Sequence, residues 1–135
     1  AKMCNSLLQL QAFLLFALDI SFIHIHKLFF RYINFSNYFN APFYDIRSQI
    51  TEFVFGDKVQ HIPAYLCSGM EKLTSVTIPN SVTDIGDYAF LGCSLLTTID
   101  YAGTREQWKK IDKSEIWNDD SNIKIIHCTD GEIVL

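Results

Sequence analysis

The sequence predicts a short right-handed solenoid of the α/β class, mostly β: coils of about 23 residues on one parallel sheet, short helical turns on the outer wall, and a C-terminal cap. Three observations predict it. Displaced by 23 residues, Ile50 falls on Leu73 and Leu73 on Leu96, each followed by a threonine, Thr51, Thr74 or Thr97. The same displacement superposes Phe53, Val76 and Ile99, then Phe55, Ile78 and Tyr101. It also aligns Val59 with Val82, Ile62 with Ile85, Tyr65 with Tyr88 and Gly69 with Gly92. At 135 residues the chain is one domain's worth, long enough to bury a core.

The unit is clearest in LTSVTIPNSVTDIGDYAFLGCSLL, residues 73–96. Val76 and Ile78 alternate with Ser75 and Thr77, the period-two pattern of a short strand buried on one face. Pro79 lacks an amide proton and ends the ladder, and Asn80 and Ser81 suit a tight turn. Val82 and Ile85 bring the chain back inward. After Gly86, the residues Tyr88, Phe90, Cys93 and Leu96 fall at the mixed spacing of an irregular helical turn, and Gly92 permits a left-handed residue at its end.

The neighbours follow the same logic. Upstream, Leu28–Tyr32 reads as the strand of a degenerate coil, with Phe30 and Tyr32 lying 23 residues before Phe53 and Phe55. Asn34 to Pro42, rich in asparagine, reads as a loop. Downstream of the third strand, Thr104 and Gln107 have capping-box spacing, so Arg105–Ile111 is expected to be a short amphipathic helix, with Trp108 at the repeat position of Ile85. Asn118–Asn122 should turn, Ile123–His127 should form a last strand, and Thr129, Asp130 and Gly131 should turn the chain out. The expected division is 1–33 as apolar leader, anchor or N-terminal capping segment, 34–49 as lead-in loop, 50–103 as coils and 104–135 as cap.

The string LTSVTIPNSVTDIGDYAFLGC closely resembles the BspA-like class of bacterial leucine-rich repeats, whose units run roughly I-P-x-S-V-x-x-I-G-x-x-A-F-x-x-C. Residues 50–72 follow it less literally. There Phe55, Gly56 and Asp57 replace the Ile-Pro-Asn corner, Pro63 stands where Gly86 would, and Cys67 and Met70 stand for Phe90 and Cys93. Asn80 comes two residues after Ile78, where the ribonuclease-inhibitor branch has its asparagine three residues after the last strand leucine. The segments YAGTREQW and HCTDG look like the closing part of such an array, and NAPFYDIRSQIT like the approach to one.

The first thirty residues admit several readings. Leu7 to Phe30 is mostly apolar but interrupted by Gln9, Gln11, Asp19, His24, His26 and Lys27, which suits a bilayer span poorly. A signal peptide would use Lys2 as its basic start, Leu7–Leu18 as its apolar core and a cleavage site near Ala17–Ser21. A helix and strand covering the open end of the array fits as well, and so does a fragment or misread start at Ala1. Sequence leaves these open.

Residues able to carry chemistry do not assemble into a site. In Ile23-His24-Ile25-His26 both imidazoles share one strand face, but no third ligand follows at a metal spacing, so a polar strand face is the better reading. A hydrolase or metal site using His24, His26, His61 or His127 lacks a converging partner set. Cys4, Cys67, Cys93 and Cys128 form no C-x-x-C pair; Cys67 and Cys93 are expected to be buried thiols, and strand alternation turns His127 away from Cys128. Trp108 and Trp117 are expected to cover the last coil in preference to stacking on sugar. The formal charge of -4, with Lys109, Lys110 and Lys113 interleaved among Glu106, Asp112 and Glu115, describes a solvated face and excludes a nucleic-acid stripe.

What remains is the outward strand face. Glu52, Ser75 and Thr98 form one row and Val54, Thr77 and Asp100 the next, a small, mildly acidic surface without a nucleophile beside a base. The expectation is a non-catalytic protein-binding module acting through these six residues, with no cofactor, no metal and a monomeric state. The resemblance implies a secreted or surface-displayed adhesion module that binds a host, matrix or cell-surface protein, with membrane contact only if residues 7–30 act as leader or anchor. The alternative is a purely structural spacer or terminal cap of a longer surface protein.

Overall fold

The computed structural model describes residues 22–25, as backbone, and 43–135. Among the described residues, nine strands and one α-helix follow in order: β1 (Phe22–Ile25), β2 (Glu52–Phe55), β3 (His61–Ile62), β4 (Ser75–Ile78), β5 (Asp84–Ile85), β6 (Thr98–Tyr101), α1 (Arg105–Lys110), β7 (Asp112–Lys113), β8 (Ile125–Cys128) and β9 (Gly131–Val134), with a short 3-10 turn at Arg47–Gln49 ahead of β2. The chain is a mostly β solenoid with a parallel sheet and little helix. Its main wall is a six-stranded sheet in the order β1-β2-β4-β6-β8-β9, and a second wall is the three-stranded sheet β3-β5-β7.

The 23-residue period sets the register. Phe53 pairs with Val76 and Val54 with Thr77 across β2 and β4, and Ile78 pairs with Tyr101 across β4 and β6. On the second wall His61 pairs with Asp84 and Ile62 with Ile85. A third wall links coils through turns: the Tyr65, Cys67 and Gly69 amides donate to the carbonyls of Asp87, Ala89 and Leu91 at 3.0, 2.8 and 2.7 Å. Each coil is thus tied to the next on three sides, which satisfies backbone groups that a single sheet would leave unpaired.

Between the walls lies one apolar core. Ile50, Leu73 and Leu96 stack in it, as do Phe53, Val76, Ile99 and Ile126 from the main sheet. Phe43 packs edge-on to Phe53 at 5.5 Å, so the segment before the first coil already contributes to the core. The threonines ahead of the strands stay outside, where the Thr74 amide and hydroxyl both bond the Thr51 carbonyl, at 2.9 and 3.2 Å.

Tyr65 and Tyr88 occupy the left-handed region at φ 61° and 54°, beside the expected Gly69 and Gly92 at 74° and 71°. A bulky side chain there is unusual. Here each tyrosine amide points along the stack to bond a carbonyl of the next coil, Asp87 or Ile116, both at 3.0 Å, and the two rings lie 5.2 Å apart.

Four sequence expectations are corrected. The strand that stacks on β2 is Phe22–Ile25, with Ile23 opposite Phe53 and Ile25 opposite Phe55, so the offset there is 30 residues and the 23-residue alignment of Phe30 and Tyr32 with Phe53 and Phe55 does not hold. Trp108 does not take the place of Ile85. That place is taken by Lys113, because α1 lengthens the coil by five residues: β5 to β7 is offset by 28 (Asp84 to Asp112) against 23 for His61 to Asp84. The helix itself ends at Lys110, with Ile111 as its C-cap. Finally, Thr129-Asp130-Gly131 does not turn the chain out; it returns β9 antiparallel to β8, with Cys128 opposite Gly131 and Ile125 opposite Val134. Cys4, His26, the bulk of the candidate leader, Leu28–Tyr32 and Asn34–Pro42 lie outside the described residues.

Candidate functional site

Strand alternation divides the main sheet into two faces. Phe53, Phe55, Val76, Ile78, Ile99 and Tyr101 point into the core and are buried. Glu52, Val54, Ser75, Thr77 and Thr98 are half-buried on the opposite face, and Asp100 is exposed there. Backbone pairing aligns Glu52 with Ser75, and Val54 with Thr77 and Asp100. The rows read from the sequence therefore stand side by side on a rigid sheet.

The face also extends beyond those six residues. Thr98 pairs with Ile125 and Asp100 with His127 across β6 and β8, and the antiparallel return adds Val134 opposite Ile125 and Glu132 opposite His127. Ile126 and Ile133 point the other way, toward the core. The His127 ring sits between two carboxylates, with Nδ1 3.2 Å from the Asp100 oxygen and Nε2 3.0 Å from the Glu132 oxygen. Val134 is 77 % exposed. These four positions escaped the sequence reading because β8 follows β6 at an offset of 27, Thr98 to Ile125, where the repeat has 23. The Asp130-Gly131 pair, a hairpin signal, would have pointed to β9.

Of the remaining candidates, His61, Trp108, Trp117, Cys67 and Cys93 are absorbed into the structure. His61 is buried, and its ring bonds the Asp84 carboxylate in the neighbouring coil; that carboxylate also accepts from the Thr83 hydroxyl at 2.9 Å. Trp108 and Trp117 are 2 % and 6 % exposed and pack edge to face at 5.9 Å, so neither ring offers a free platform. Cys67 and Cys93 are buried free thiols, and Cys93 Sγ donates to the Cys67 carbonyl at 3.1 Å. Burial pushes the Cys93 thiol up to about 12, and burial together with neighbouring Cys93 pushes Cys67 well above the ordinary thiol value. Such thiols are poor nucleophiles. Among the described residues no three His, Cys, Asp or Glu side chains are grouped to hold a metal, and no helix is long and apolar enough to cross a membrane.

A family model described as the BspA type leucine rich repeat region (6 copies) matches residues 37–131, well over half of the chain. The chain belongs to this family. Leucine-rich repeats generally mediate protein–protein interactions, and their fold is generally non-enzymatic. No curated protein matches the chain. Among solved structures, it is similar to a leucine-rich repeat protein from Eubacterium ventriosum ATCC 27560, at 16 % identity and a TM-score of 0.45. That match covers 72 % of this chain, which spans 37 % of the length of the other.

Proposed function

We propose that this BspA-type repeat is a non-catalytic adhesion module of a secreted or cell-surface protein, and that it binds another protein through the outward face of its main sheet. The observation that carries this reading is the alignment of Glu52, Ser75 and Thr98, and of Val54, Thr77 and Asp100, on strands held in fixed register. A rigid parallel sheet spaces its strands about 4.8 Å apart and presents their side chains with little ordering cost on binding. Membership of the family supports a surface-displayed role, and the family's interaction chemistry supports a protein as the partner.

The test is capture from extracellular-matrix and cell-surface extracts by the wild type and by the Glu52→Lys, Asp100→Lys double variant. The double variant is expected to stay folded by circular dichroism and to lose the captured protein. Equal capture by both would place the contact on another face. Capture by neither would favour the reading in which these coils are a spacer.

A further inference from the structure

We infer that the C-terminal end of the outward face, built by β8 and β9, receives a basic protein segment that carries an aliphatic anchor. The inference rests on the binding-face reading and names its partner's chemistry. Ile125 and Val134 form a directly opposed cross-strand pair on the outward face, and Val134 is 77 % exposed. In the adjacent row, Asp100, His127 and Glu132 lie across three strands, joined through the imidazole at 3.2 and 3.0 Å. The surface therefore presents an aliphatic row beside an anionic one.

The charge of the face selects the occupant. Of the two outward residues on each of β2, β4, β6, β8 and β9, three are carboxylates, Glu52, Asp100 and Glu132, and none is lysine or arginine. A second copy docking through this face in two-fold symmetry would set carboxylates against carboxylates. Phosphate-bearing ligands meet the same repulsion. A protein segment with Lys or Arg two residues from Val, Ile or Leu has the complementary arrangement. In extended conformation its alternate side chains lie about 6.6–6.8 Å apart, the same step that separates the two rows along each strand. The basic group then reaches the Asp100 and Glu132 carboxylate oxygens while the aliphatic group covers Ile125 and Val134.

The experiment is an amide NMR titration of the ¹⁵N-labelled chain with the capped peptide Ser-Lys-Ser-Val-Ser-Lys-Ser, against the same peptide with Glu for Lys. Support is a saturable set of shifts centred on β8 and β9, seen with the lysine peptide only and reduced by added salt. Val134→Ser and Glu132→Gln should each weaken the fitted affinity by about five- to tenfold, from loss of partly buried aliphatic surface and of an ion pair respectively. Glu115→Gln, the same charge change at an exposed turn position, should leave it unchanged. No shifts, shifts centred on β2 and β4, or equal shifts with the glutamate peptide would overturn the inference. A protein captured from matrix whose binding the lysine peptide does not displace would overturn it too, while leaving the broader binding-face reading standing.

Discussion

At single positions, burial decides what a substitution does. Ile78 is fully buried beneath the neighbouring strand, whereas Thr77, next to it, faces outward. Ile78→Ala should therefore cost about 2–5 kcal/mol, from lost transfer energy and an incompletely closed cavity, and Thr77→Ala well under half of that. Denaturant titration of the two variants checks this, and equal losses would mean that the faces are exchanged. The buried thiols make a second prediction. A thiol raised in the folded state to about 12 from an ordinary 9.0 holds its proton longer there than in the unfolded chain. The stability it contributes is fully present below pH 9 and is lost as pH rises toward 12. Stability should therefore fall across that window, with a shallower fall in Cys93→Ala measured against its own value at pH 8. In iodoacetamide labelling at pH 8, peptide mapping should find Cys67 and Cys93 unmodified until denaturant is added.

At the level of elements, the helix α1 shows how a departure from the repeat is accommodated. Both halves of its capping box form: the Gln107 amide donates to Thr104 Oγ1 at 3.2 Å, and the Thr104 amide donates to Gln107 Oε1 at 2.8 Å. At the other end, Lys113 Nζ donates to the Trp108 and Ile111 carbonyls at 2.8 Å each and lies over the Trp108 ring. A lysine thus fills the column occupied by Ile85 in the previous coil, where its ammonium donates to carbonyls at the C-terminal end of the helix, Trp108 O being shared with the Ile111 amide. Thr104→Ala should cost about 0.5–2 kcal/mol. Gly103→Ala should cost more, since a Cβ there would meet the Tyr101 ring at 2.6 Å and Gln107 Oε1 at 2.8 Å, disturbing core and cap together. Thermal melts of both variants test the order. The capping box was legible in the sequence because it depends on residues three apart. The role of Lys113 was not, because it depends on a five-residue insertion that no local pattern dates to one side of Trp108 or the other.

For the whole molecule, the repeat carried the fold and its interruption hid part of the face. Wherever the offset is 23, from Ile50 to Tyr101, the sequence placed the main-sheet strands, their register and their inward residues correctly, since a stack of equal coils makes tertiary contacts periodic in the chain; it expected one sheet and missed the second, because β3 and β5 are two residues each and too short to show an alternation. Where the offset becomes 30, 28 or 27, the same alignment misplaced the strand that precedes β2 and Trp108, and left the continuation of the outward rows unread. The cap is nevertheless part of the core: Trp108 packs on Tyr101 at 5.2 Å and on Trp117, which meets Phe90 at 5.9 Å. Ending the chain at Gly103 should expose Ile99 and Tyr101 and drive aggregation, measured by light scattering and size exclusion. A soluble monomer with an unchanged melt would remove the cap from that role. The reversed strand β9 has a geometric consequence for length. A unit like 73–95 spliced in before Leu73 meets strands of its own direction on both sides and advances the sheet by about 4.8 Å. Set against the outer edge of β9, the same unit would meet a strand running the opposite way. The molecule is graduated like a ruler whose zero mark is the β8–β9 hairpin, and the number of units inserted ahead of it sets how far that hairpin stands from β1.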